Sequence, residues 1–139
     1  MMLMLLVACA TTREERHEVR TDRRQLALLQ DSAELYWMAL RWDDVGTAAG
    51  FLQDGTYRTD WLTGPAMQTD WRYREATIRR ADLGPAVDEG DPRTATVIVN
   101  VQGYKTRSQV LESAVVTQDW YFDDRSWWVE PGQERGVAR

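Results

Sequence analysis

A chain of 139 residues with 43% apolar and 28% charged residues can bury one core, and that composition argues against disorder as its resting state. A net charge of −5 with no basic block argues against nucleic acid as a partner, and the arginines are interleaved with carboxylates as on a solvated surface. Cys9 and His17 are the single residues of their kinds, so an internal disulfide and a structural zinc site are excluded and no metal or cofactor is expected.

Met1 to Ala8 is an uninterrupted apolar run, far shorter than the about 20 residues a membrane-spanning helix needs. It leads into Leu6-Val7-Ala8-Cys9, which resembles the lipobox of bacterial lipoproteins. There, small residues precede a cysteine that is diacylated and becomes the mature N-terminus. On that resemblance residues 1–8 are a signal segment. Cys9 is then the lipidation site, and its acyl chains hold the protein to the membrane. Ala10 in place of an Asp after the cysteine implies outer-membrane sorting, with the protein facing the periplasm. The plain alternative is a frayed apolar N-terminus around a buried cysteine.

Residues 9–25 then read as the lipidated cysteine and a charged tether, from Thr11 to Gln25 rich in Arg and Glu and open to helix formation. His17 lies in this stretch and is expected at the surface with no catalytic role. Leu26, Leu29, Ala33, Tyr36 and Leu40 follow at spacings of three and four, the stripe of an amphipathic helix ending near Trp42. Leu35, Trp37 and Met38 are expected to widen that stripe. Asp43 or Asp44 is placed to cap a second, short helix running through Ala48, Ala49, Phe51 and Leu52, with Gly55 beyond its end.

Tyr57 to Arg72 carries Trp61-Leu62 and Trp71 on either side of Gly64-Pro65 and predicts a short helical or irregular segment. Trp61 and Trp71 are candidates for the rim of a pocket, ordinary loop packing being the alternative. Strand patterns follow at Tyr73–Leu83, polar enough for an edge, and at Thr94–Tyr104, where Ala95, Val97, Val99 and Val101 share one face. The last pattern, Val110–Glu130, predicts a hairpin turning at Asp123-Asp124-Arg125-Ser126. Pairing Phe122 with Trp127 and Trp120 with Val129 puts these four on one face. Tyr121 and Trp128 fall on the opposite face. Residues 133–139 read as a loose tail.

The expected fold is α+β, two N-terminal helices on a curved four-stranded antiparallel meander, with the domain spanning residues 26–132. Two stretches carry a family resemblance. They are Glu34-Leu35-Tyr36-Trp37-Met38-Ala39-Leu40-Arg41-Trp42 leading into Ala48-Ala49-Gly50-Phe51, and Gln118-Asp119-Trp120-Tyr121-Phe122-Asp123-Asp124-Arg125-Ser126-Trp127-Trp128. Over Leu26 to Glu130 the chain resembles the NTF2-like (cystatin-like, cone-shaped) superfamily, and small bacterial lipoproteins of that fold in particular.

That fold hosts isomerases, dehydratases and plain binding modules, so its function lies in its sites. A histidine-based mechanism has no candidate here. A carboxylate mechanism would draw on Asp119, Asp60 or Asp70 with Tyr36, Tyr57 or Tyr104. The favoured expectation is a non-enzymatic, lipid-anchored envelope domain that binds a partner protein or a small apolar ligand. Tyr121 and Trp128 are the first binding candidates, since Tyr and Trp dominate interface hot spots. Packing within the monomer, or a homodimer contact, is the alternative for both.

Overall fold

The structure, a computed structural model, describes residues 12–53, 56–63 and 71–130. Residues 1–8, Cys9, Gly55, Gly64-Pro65, Asp70 and the 133–139 tail lie outside the described residues, as does the side chain of Tyr57. Three helices, α1 (Arg13–Arg41), α2 (Val45–Ala49) and α3 (Thr56–Thr63), precede four strands, β1 (Trp71–Leu83), β2 (Arg93–Lys105), β3 (Glu112–Phe122) and β4 (Trp127–Val129). The strands form one antiparallel sheet in sequence order, β1-β2-β3-β4, and α1 packs across it. The chain is thus α+β, a helix on a four-stranded meander.

The charged stretch before Leu26 belongs to α1, which is one helix of 29 residues, roughly 43 Å long. Thr12 starts it with a reciprocal cap: Glu15 N–H donates to Thr12 Oγ1 at 3.3 Å, and Thr12 N–H donates to Glu15 Oε2 at 2.9 Å. The helix is tied down well before Leu26. Arg93 reaches from β2 to the Asp22 carboxylate, to Gln25 Oε1 at 3.0 Å and to Gly84 O at 3.1 Å, while Trp127 Nε1 donates to Gln25 O at 2.9 Å.

At the C-terminus Asp43 takes a left-handed φ of 59°, donating to Leu40 O, and Asp44 N–H donates to Ala39 O at 2.8 Å. That is a Schellman end built on Asp rather than Gly. Asp44 immediately caps α2, accepting from Thr47 N–H at 3.2 Å and Thr47 Oγ1 at 2.7 Å. Both donors, the hydroxyl first, hold its carboxyl below the ordinary carboxylate value. The second helix stops at Ala49, short of the expected Leu52. Gly50, Phe51 and Leu52 donate three residues back, which tightens the chain into a turn.

Leu29, Ala33, Tyr36 and Trp37 are buried against the sheet, with Leu26 and Leu40 at the margin. Leu35 and Met38 do not widen this stripe. They are 48% and 49% exposed, because at about 100° per residue they rotate away from the Leu29–Tyr36 line while Trp37 stays within reach of the sheet. From the sheet, Ala95, Val97, Val99, Val101, Val116, Trp120, Phe122, Trp127 and Val129 complete the core. Edge-to-face contacts link Tyr36 to Trp37 (5.7 Å), Trp120 (5.9 Å) and Phe51 (6.1 Å), and Trp37 to Tyr73 (5.2 Å). Trp71 lies so close over β2 that a Cβ on Gly103 would fall 2.6 Å from its ring carbons.

Both sheet edges are protected. Edge strand β1 is polar and carries irregularities between Tyr73 and Glu75 and between Ile78 and Arg80, which discourage pairing with another strand. At the other edge β4 has only three residues, and its Val129 N–H donates to Phe51 O at 2.9 Å.

Candidate functional site

The β3–β4 hairpin is the best-organised polar and aromatic feature at the surface. Phe122 pairs with Trp127, Tyr121 with Trp128 and Trp120 with Val129. Period-two alternation sends Trp120, Phe122, Trp127 and Val129 into the core and leaves Tyr121 and Trp128 half-buried on the face away from α1. The turn between them is pinned by Asp123. Its Oδ1 accepts from Arg125 N–H at 3.0 Å and Ser126 N–H at 2.9 Å, and its Oδ2 accepts from Trp128 Nε1 at 2.9 Å. Partial burial pushes this carboxyl up, but the Ser126, Trp128 and Arg125 donors together outweigh it, leaving it below the ordinary value. Asp124 takes the left-handed turn position at φ 71°. Tyr121 is held as well, its hydroxyl donating to Gln53 Oε1 at 3.0 Å.

Beside this hairpin a cleft of about 240 Å³ opens between Leu28 and Ser32 of α1, Gly50 and Phe51 after α2, and the Phe122-to-Trp128 arm. Phe122 and Trp127, with ring centroids 5.1 Å apart, are among its apolar walls. Arg125 and the Ser126 side chain add the polar part of the lining. Among the described residues Arg125 has no ion-pair partner. Apolar walls, a cation and two hydroxyls make a seat for an apolar group that carries a carboxylate close by.

The other expected site residues are dispersed. Trp61 and Trp71 are 6% and 5% exposed, so both are largely enclosed by the fold. Asp119 is exposed on the outer sheet face and Asp60 is exposed on α3, while Tyr36 is buried in the core. Tyr104 shares the outer face with Asp119 but lies eight residues along β2 from Thr96, the partner of Asp119, roughly 26 Å away. Asp119 and Tyr104 therefore do not form a carboxylate–phenol pair.

His17 and Glu18 line a separate, acid-rich groove of about 580 Å³ with Asp88, Glu89 and Asp91. No group of His, Cys, Asp or Glu among the described residues is arranged to hold a metal ion. Nor is any described helix long and apolar enough to cross a membrane.

One interior feature has polar character. Gln118, 1% exposed, accepts from Trp37 Nε1 at 2.9 Å, while Gln118 Nε2 and the neighbouring Trp120 Nε1 find no acceptor among the described residues. Each unmet buried donor costs about 1–3 kcal/mol. A scan against protein-family models finds no family that matches the chain, and no curated protein is significantly similar to it.

Sequence patterning located Trp128 but not Arg125, Leu28, Ser32 and Phe51, which complete the cleft. Arg125 stood inside the turn motif as a turn residue. Its adjacency to the closing aromatic pair was the available signal.

Proposed function

We propose that this chain is a non-enzymatic docking domain of the bacterial envelope, held to the membrane through an acylated Cys9, outer-membrane sorted and facing the periplasm. Its fold is read as an NTF2-like cone, on the strength of the helix-on-meander order and the aromatic closing hairpin. The hairpin cleft is the binding site, and its occupant is an apolar side chain of a partner protein with a carboxylate nearby.

The observation that carries this reading is an open cation on a pinned turn beside apolar walls. Asp123 fixes the turn by accepting from Arg125 and Ser126 N–H, and Arg125 lines the cleft with Phe122 and Trp127 and has no ion-pair partner among the described residues. Ordering the binding arm before association lowers its entropy cost. The size favours a partner side chain over a free ligand, because 240 Å³ is below the roughly 300–1,000 Å³ of small-molecule pockets. For the isomerase or dehydratase alternative, Asp119 and Tyr104 do not form a pair, since they lie roughly 26 Å apart along the outer sheet face.

The test is photo-cross-linking in cells from a benzophenone amino acid at Ser126, at the cleft mouth. A discrete cross-linked envelope protein, lost when Arg125→Glu or Trp128→Ala is added, is the expected result. Cross-linking that is absent, or unchanged by both substitutions, contradicts the reading.

A further inference from the structure

The outward face of α1 is unusual for a surface helix. Leu28, Leu35, Met38 and Trp42 are 39%, 48%, 49% and 70% exposed and follow one another at spacings of seven, three and four. That is the a/d rhythm of a two-helix seam, with Leu28, Leu35 and Trp42 at a positions and Met38 at d. It lies on the side of the helix opposite the Leu29–Tyr36 stripe that meets the sheet. Large exposed apolar side chains aligned on one face mark an interaction surface.

The charges beside this seam identify its occupant. Glu34 and Arg41 are the g positions that flank it on the β1 side. Both border the open groove of about 320 Å³ between α1 and Ala76–Ile78 of β1. Among the described residues neither has an ion-pair partner, and Arg41 lies beside the seam with its guanidinium carbon 5.7 Å from the centre of the Trp42 ring.

We infer that this face binds a second copy of the same chain, α1 against α1 in antiparallel orientation. With Leu35 facing the second copy's Met38, g positions meet g positions. Glu34 then lies across from the second copy's Arg41, and the dyad repeats the pair. The same register sets Asp31 opposite the second copy's Trp42, whose indole N–H is a donor. A parallel, in-register pair would bring Asp31 against its own copy in the seam and leave Glu34 opposite Ala39. The pattern is therefore complementary to itself in one orientation only. Leu28 also lines the hairpin cleft, but the contacts that define this register, at Glu34, Leu35, Met38, Arg41 and Trp42, lie outside that cleft, and the inference does not depend on the membrane anchor.

The test uses the whole chain carrying Cys9→Ser, which allows neither acylation nor a disulfide between copies. Sedimentation equilibrium from micromolar to near-millimolar concentration is expected to show a monomer–dimer equilibrium. Leu35→Glu, with an unchanged circular dichroism spectrum, is expected to remain monomeric throughout. Glu34→Arg replaces two attractive pairs with two repulsive ones and is expected to raise the dimer Kd about tenfold. Adding Arg41→Glu to it is expected to restore the original Kd.

A chain monomeric across the whole range overturns the inference. So does a dimer indifferent to Leu35→Glu, or a charge-swapped double variant no better than Glu34→Arg alone. A chain that stays monomeric while its Trp42 emission shifts to the blue on phosphatidylglycerol vesicles, with Trp42→Phe as the control, would assign the face to lipid instead.

Discussion

Replacing Asp123 separates the turn from the indole that the turn positions. The carboxylate accepts three hydrogen bonds, from the Arg125 and Ser126 amides and from Trp128 Nε1. Each is worth about 0.5–1.5 kcal/mol, and the low end applies because the turn is exposed to solvent. Asp123→Ala removes all three and is expected to destabilise the domain by about 1.5–2 kcal/mol. Asp123→Asn keeps Oδ1 for the two amides but puts an NH₂ opposite the indole N–H, so about 0.5–1 kcal/mol is expected.

Urea unfolding at neutral pH followed by circular dichroism measures both variants, and the emission difference between each chain and its Trp128→Phe counterpart reports the ring's release from among the seven tryptophans. The carboxyl lies below its ordinary value in the folded state, so its contribution is present above the unfolded pKa of about 4 and is lost as pH falls through the folded value. The gap between wild type and Asp123→Asn should therefore close in acid. Equal stabilities for Asn and Ala, or a gap that widens in acid, would refute this picture of the turn.

Three further perturbations probe the rest of the fold. Gly103→Ala drives a Cβ to within 2.6 Å of the Trp71 ring and the Arg72 carbonyl, so a loss of about 2 kcal/mol or more is expected in thermal unfolding. Trp37→Phe and Gln118→Leu each strand one buried partner of their shared hydrogen bond. Leucine also removes the unmet Gln118 Nε2, so it should be the milder of the two, with a coupling of about 1 kcal/mol in a double-mutant cycle by denaturant unfolding. Arg93→Met cuts the links to Asp22, Gln25 and Gly84, and faster amide exchange is expected in α1 before Leu26, without loss of the β2–β3 pairing.

Strand periodicity was the most legible part of the sequence. The alternation in β2 and the closing pairs of the hairpin follow from a period of two, and a register shifted by one residue would have exposed Trp120 and Val129. Helix rotation was less legible. Leu35 and Met38 look like core residues by composition, and only their angle around α1 assigns them to the exposed seam. The start of α1 was obscured by its charge, since nothing local shows that Arg93, seventy-one residues after Asp22, returns to clamp it.

The candidate site was half legible. Trp128 announced itself as an aromatic on the outward face. The cleft needs Leu28, Phe51 and Arg125 from three separate segments, and only the tertiary fold brings these together. Gln118 falls inside because its parity on β3 matches that of Val116 and Trp120, although its polarity suggested the surface.

The most direct measurement of the envelope docking proposal is the intact mass of the chain recovered from membranes, together with whatever its hairpin cleft has been cross-linked to. A mature chain that begins at an acylated Cys9 and is joined to a second envelope protein is the expected result. An unmodified chain in the soluble fraction, with nothing joined to it, would contradict the account.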